Sequence, residues 1–119
     1  MILADTSVWI DHFRKPDAVF SKRLHDEKIC THPFIIGELA CGNLKNRKEI
    51  IALLHALPSA GGAEDDEVLF FIDRHKLAGR GIGLIDVHLL AVCCIHSVKL
   101  WTKDKRLAAI AEELAIAAK

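Results

Sequence analysis

The sequence predicts an α/β protein, a three-layer α/β/α sandwich around a short, mainly parallel sheet of four to five strands. Three observations lead there. Short apolar runs such as Ile2–Ala4 stop at polar residues, as buried parallel strands do when they deliver side chains to their carboxyl edge. Stretches with apolar residues at helical spacing separate those runs, in the order strand, helices, strand, helices, strand, helix. The 119 residues carry no internal repeat and no low-complexity linker, and a chain of that size buries a real core, so one domain over residues 1–119 is expected.

Ile2, Leu3 and Ala4 form the first strand, which ends at Asp5 and Thr6. With Ser7 available as an N-cap, Val8, Trp9, Ile10 and Phe13 follow at helical spacing until Pro16 closes the segment, and a second helix covers residues 17–26. Residues 28–31 read as the second strand. Pro33 then suits the first turn of a helix carrying Phe34, Ile35, Ile36, Leu39 and Ala40, which Gly42 and Asn43 end. Residues 47–57 form an amphipathic helix, residues 58–62 give the strongest turn signal in the chain, and a short strand falls near residues 57–60. The segment 64–78 opens on Glu64, Asp65, Asp66 and Glu67, which complement the positive end of a helix dipole, and turns Leu69, Phe70, Ile72 and Leu77 inward. After Gly79, Gly81 and Gly83 come a strongly apolar helix over 84–96, a strand over 99–102, and an Ala-rich helix from 105 to about 118 capped by Asp104.

Composition narrows the function classes. Sixteen basic residues balance sixteen acidic ones, so no global positive field announces nucleic acid, and any RNA contact must rely on local charge, a metal or oligomerisation. Cys30, Cys41, Cys93 and Cys94 show neither metal-ligand nor disulfide spacing and read as reduced, mostly buried thiols. No apolar run reaches the length of a membrane span and no charged leader precedes Asp5, so a cytoplasmic protein without membrane contact is expected.

Four carboxylates have settings unlike a solvated surface. Asp5 follows Ile2, Leu3 and Ala4 at the mouth of a strand, although a turn or cap also accounts for it. Glu38 lies four residues from Phe34 and three from Ile35, sharing a face with large apolar groups, where unpaired burial would be costly. Asp86 opens an apolar helix whose N-terminus would help keep it ionised; taken alone it is an ordinary helix-start residue. Asp104 follows the last strand, and an N-cap role by itself explains it. The conjunction matters more than any member, because a doubly wound sheet gathers strand ends and helix starts along its carboxyl edge. Carboxylates within about 4 Å repel by roughly 4 kcal/mol per pair at an effective dielectric near 20, so such a cluster calls for a cation. Oxygen ligands without a His or Cys set favour Mg²⁺ or Mn²⁺.

In the opening ILADTSVWIDHFR, the central FIIGELACG, the segment GRGIGLIDVHLLAVC and the closing LWTKDKRL, the chain resembles the PIN-domain family, and within it the VapC-type toxins of toxin–antitoxin pairs. The resemblance spans nearly the whole chain. It implies a PIN-like sandwich and a metal-dependent endoribonuclease whose acidic quartet is Asp5, Glu38, Asp86 and Asp104, with no position substituted. Thr6 and Thr102 become nearby polar members. It further implies one or two divalent ions, Mg²⁺ or Mn²⁺, that activate water for in-line attack on an RNA phosphodiester, leaving a 3′-hydroxyl and a 5′-phosphate. A cognate VapB-type antitoxin and a homodimer are the implied partners, with the region of Trp9 and Phe13 helping to form the dimer or the antitoxin groove, although core packing accounts for both side chains more simply.

Other signals weigh less. Arg14, Lys15, Lys103, Lys105 and Arg106 flank the proposed site in sequence and, with Arg80, are candidate RNA phosphate contacts, each also explained by ordinary solvation. Gly79, Gly81 and Gly83 lack phosphate-loop spacing, and the seven histidines show no zinc pattern. Two alternatives stand against the nuclease: a receiver-like phosphoacceptor domain, which needs a mid-domain strand-end Asp and a late buried Lys, and a non-catalytic protein-binding module.

Overall fold

The computed structural model describes residues 1–119. At its centre lie three parallel strands, β1 (Ile2–Ala4), β2 (Ile29–Cys30) and β3 (Lys99–Trp101), in the order β2-β1-β3. Ile2 pairs with Ile29 and Lys99, Leu3 with Cys30 and Leu100, and Ala4 with Trp101. Because the strands run in one direction, the residues that follow them, Asp5, Thr31 and Thr102, emerge along a single edge.

The sheet is narrower than the four to five strands expected. On the outer side of β2 the segment near Ser59 makes one isolated bridge to Thr31, and on the outer side of β3 Ala117 makes one to Leu100. Pro58 has no N–H with which to continue a ladder, so the first contact is limited to Thr31 N–H donating to the Pro58 carbonyl (2.9 Å) and Ala60 N–H to the Thr31 carbonyl (2.8 Å). The second contact shortens the last helix, which ends at Glu113 rather than near 118. Ala115 turns the chain at φ +59°, and residues 116–118 exchange bonds of 2.7 and 2.8 Å with Leu100, covering a sheet edge that would otherwise be open.

Seven helices surround the sheet: α1 (Thr6–Arg14), α2 (Ala18–His25), α3 (Pro33–Ala40), α4 (Arg47–Ala56), α5 (Asp65–Arg74), α6 (Leu84–His96) and α7 (Lys105–Glu113). Helix α1 packs on β1 and α3, and α6 on β3 and α5. Residues 87 through 93 of α6 are all buried, as suits a helix enclosed by other elements. Trp9 and Phe20 meet edge to face at 4.7 Å, and Phe20 lies 5.6 Å from Trp101, tying α1 and α2 to β3.

Two local expectations change. Asp5, not Ser7, caps α1, accepting the Val8 N–H. In α5, Val68 and Phe71 point inward, whereas Leu69 and Phe70 are 61% and 68% exposed. All four cysteines are free; Cys30 and Cys93 are buried, Cys94 is half-buried and Cys41 is exposed. Burial pushes the Cys93 thiol up to about 12. No helix is long and apolar enough to cross a membrane.

Phe20 is wholly buried in the aromatic contact between α1, α2 and β3. Phe20→Ala should destabilise the fold by about 3–5 kcal/mol in urea denaturation, and a loss under about 1 kcal/mol would contradict this packing.

Candidate active site

Asp5 leaves β1 at the carboxyl edge of the sheet, only 6% exposed, with both of its oxygens engaged. Ser7 Oγ donates to Oδ1 at 2.5 Å, the Val8 N–H donates to the same oxygen at 3.3 Å, and Thr102 Oγ1 donates to Oδ2 at 2.5 Å. Each hydroxyl also accepts: Ser7 from the Lys103 N–H at 2.9 Å, Thr102 from the Asp104 N–H at 3.1 Å. A hydroxyl has one proton to give, so both protons are committed to the carboxylate and fix its plane. This network joins the end of β1, the start of α1 and the turn from β3 into α7.

Thr102 donates to Asp5, whereas the Thr6 hydroxyl bonds no protein atom, and Ser7 makes the second hydroxyl contact. The Asp-x-Ser spacing at a strand-to-helix turn is the signal for Ser7, since a short side chain there reaches back to the capping carboxylate.

The other three carboxylates come from helix ends. Asp104 caps α7, accepting the Leu107 N–H at 3.0 Å on Oδ1 and leaving Oδ2 without a protein partner. Asp86 is half-buried in the first turn of α6, and Glu38 sits near the end of α3. Burial first, then the charges of Asp104 and Asp5, push the Asp86 carboxyl above its usual range. Partial burial, then Asp86 and Asp5, push Glu38 up in the same way. Asp86 thus feels the charges of Asp104 and Asp5, and Glu38 those of Asp86 and Asp5.

Two details differ from expectation. At Asp86 burial and like charge outweigh the helix N-terminus. Glu38 is exposed, not enclosed: Ile35 and Leu39 on the same helix are buried, whereas Phe34 and Glu38 face outward.

The basic candidates divide. Lys103 Nζ is paired with Asp11 at 2.6 Å, which raises the lysine and lowers the aspartate. Arg80 binds both oxygens of Glu113, at 2.9 and 3.2 Å. Arg14, Lys15 and Lys105 are exposed, and Arg106 lies against Gly81. The late buried Lys of a receiver-type site is missing, since Lys99 and Lys103 are both exposed. His32 and His88 are buried on either side of Phe34, each ring centre 4.9 Å from it, and His32 Nδ1 accepts the Phe34 N–H as the cap of α3. Burial, then the charge of His88, pushes His32 below its usual range.

No three His, Cys, Asp or Glu side chains stand close enough together to hold an ion directly in this arrangement. The donor chemistry nevertheless fits a hard divalent cation: every candidate ligand atom is oxygen, and two carboxyls are raised by burial and then by neighbouring negative charge, with no lysine or arginine among the causes. Lys103, beside Asp104 in sequence, is already committed to Asp11.

Comparison with known proteins gives three findings. Residues 2–113 match the family model described as PIN domain. The chain is 43% identical over 118 residues to Ribonuclease VapC32 of Mycobacterium tuberculosis, in both strains CDC 1551 / Oshkosh and ATCC 25618 / H37Rv, covering 98% of this chain and 95% of the relative. The crystal structure of PAE2754 from Pyrobaculum aerophilum superposes with a TM-score of 0.66 at 18% identity, over 96% of this chain and 94% of that one, a likeness of fold.

The raised carboxyls predict a pH dependence of the protein without divalent ions. Below the ordinary values of 3.8 for Asp86 and 4.5 for Glu38, folded and unfolded chains are both protonated and neither group affects stability. Above the raised folded values both states are ionised and the full penalty applies, so stability is gained as pH falls through that window. Asp86→Asn should therefore melt at a higher temperature than the unaltered protein at neutral pH in EDTA, with the gap closing as pH falls toward 3.8. Equal melting temperatures at neutral pH would refute the penalty that burial and like charge place on Asp86.

Proposed function

From the premise that this chain belongs to the PIN-domain family, we propose that it is a VapC-type endoribonuclease, the toxin of a type II toxin–antitoxin pair, whose reaction is centred on Asp5, Glu38, Asp86 and Asp104. What supports the reading beyond the relatives is that the charges of Asp104 and Asp5 act on Asp86, and those of Asp86 and Asp5 on Glu38, where burial already disfavours a carboxylate, while Lys103 is held by Asp11.

Asp5, Asp86 and Asp104 would hold Mg²⁺, or Mn²⁺ in its place, and Glu38 would hold the ion or orient a water beside it. A bound divalent ion supplies positive charge for the scissile phosphate and acidifies the attacking water. The chain's own residues supply the geometry. Ser7 and Thr102 hold the Asp5 carboxylate at a fixed angle through their only hydroxyl protons, and the same hydroxyls anchor the backbone of Lys103 and Asp104. Asp104, held on one oxygen by its cap, presents the other. The zero net charge is consistent with RNA being gripped locally. A cognate VapB-type antitoxin and a second copy of the chain are the proposed protein partners, within one catalytic domain spanning residues 1–119.

Incubation of the purified protein with transfer, ribosomal and messenger RNAs, with and without Mn²⁺, should give fragments bearing 5′-phosphates only when the ion is present. Asp5→Asn should keep its circular dichroism spectrum and lose at least about 100-fold in cleavage rate, and Thr102→Val about 10–100-fold, because it removes a support of a ligand. Undiminished cleavage by Asp5→Asn would sink the site assignment.

A further inference from the structure

The Gly-rich loop before α6 carries a feature that the acidic site does not explain. Gly81 adopts φ +80°, and a Cβ placed on it would meet Arg106 Nη1 at 2.7 Å, Cζ at 3.3 Å and Cδ at 3.4 Å. The outer half of the Arg106 side chain therefore lies flat on the glycine, in space that any other residue would fill. Its one hydrogen bond is long, Nη1 donating to the Gly81 carbonyl at 3.5 Å, and no carboxylate pairs with it. Lys103 and Arg80 differ in that each is held by an acid. The Arg80–Glu113 fork also fastens the loop to α7, so the surface on which Arg106 rests is itself tied down.

The position is informative as well. Arg106 lies two residues past Asp104 in α7, and Gly81 lies two residues before Gly83, the N-cap of the helix that carries Asp86. The guanidinium thus bridges the two chain segments that bring Asp86 and Asp104 together, and it remains exposed. A planar group with five donors, held at one atom and otherwise unpartnered, suits bidentate contact with a phosphate.

We propose that Arg106, laid along Gly81, grips an RNA backbone phosphate beside the acidic site, and that the missing side chain at Gly81 sets its orientation. This rests on the ribonuclease reading and deepens it, selecting one residue from the basic side chains around the site. Contact with phosphate positions the strand without reading bases, so the loss on mutation should be uniform across sequences.

The test is binding of a fluorescein-labelled single-stranded RNA in Ca²⁺, followed by anisotropy over a series of KCl concentrations. Each phosphate neutralised on a single strand contributes about 0.7 to the slope of log affinity against log salt. Arg106→Ala should lower that slope by about 0.7, Arg106→Lys should restore it, and Lys22→Ala, at an exposed lysine of α2 paired with Asp26, should leave it unchanged. Gly81→Ala, if folded by circular dichroism, should weaken binding with Arg106 intact. An unchanged slope in Arg106→Ala overturns the proposal and leaves the nuclease reading standing. A chain that neither binds nor cleaves RNA overturns both.

Discussion

Asp5 receives three hydrogen bonds, from Ser7, Val8 and Thr102, and most of the site follows from that arrangement. A nearly buried carboxylate at the mouth of the central strand is tolerable only if its oxygens are satisfied, and the donors come from the two segments that flank β1 and β3. The same contacts fix the backbone of Lys103 and Asp104, so the cap of α7 is placed relative to the cap of α1. One side chain is both a structural joint and a candidate ligand. The cost appears at Asp86 and Glu38, whose carboxyls are raised by burial and by the charges that this joint holds nearby.

That division explains why the site is strained in one respect and rigid in another. Rigidity lies in hydroxyls and backbone amides that have no spare capacity. Strain lies in uncompensated negative charge, which the neighbouring cations do not relieve: Lys103 is held by Asp11 and Arg80 by Glu113. Of the basic side chains near the site in sequence, Arg106 is the one that rests on bare backbone.

Much of this was legible in the chain. The run Ile2–Ala4 ending at Asp5, Pro33 at a helix start and Asp104 before an Ala-rich segment are local signals, and each element they mark is present. What failed had a physical cause. The residues Val68, Leu69, Phe70, Phe71 and Ile72 are apolar without interruption, so periodicity does not fix the phase of α5, and Leu69 and Phe70 face outward. Composition carries α7 on toward 118, but the open edge of β3 competes for residues 116–118. Pairings such as Arg80 with Glu113, separated by 33 residues, arise from tertiary placement that spacing does not reveal. Ser7 was within reach, because its distance from Asp5 is set by the turn.

The central claim is that Asp5, Glu38, Asp86 and Asp104 share one charged region whose cost a divalent cation would relieve. Calorimetric titration with Mn²⁺ in two buffers of different ionisation enthalpy, at a pH just above the ordinary carboxylate range, tests it most directly. Saturable binding with net release of protons is predicted, since the raised carboxyls of Asp86 and Glu38 must ionise as the ion enters. An absence of saturable binding, or binding without proton release, would contradict the account.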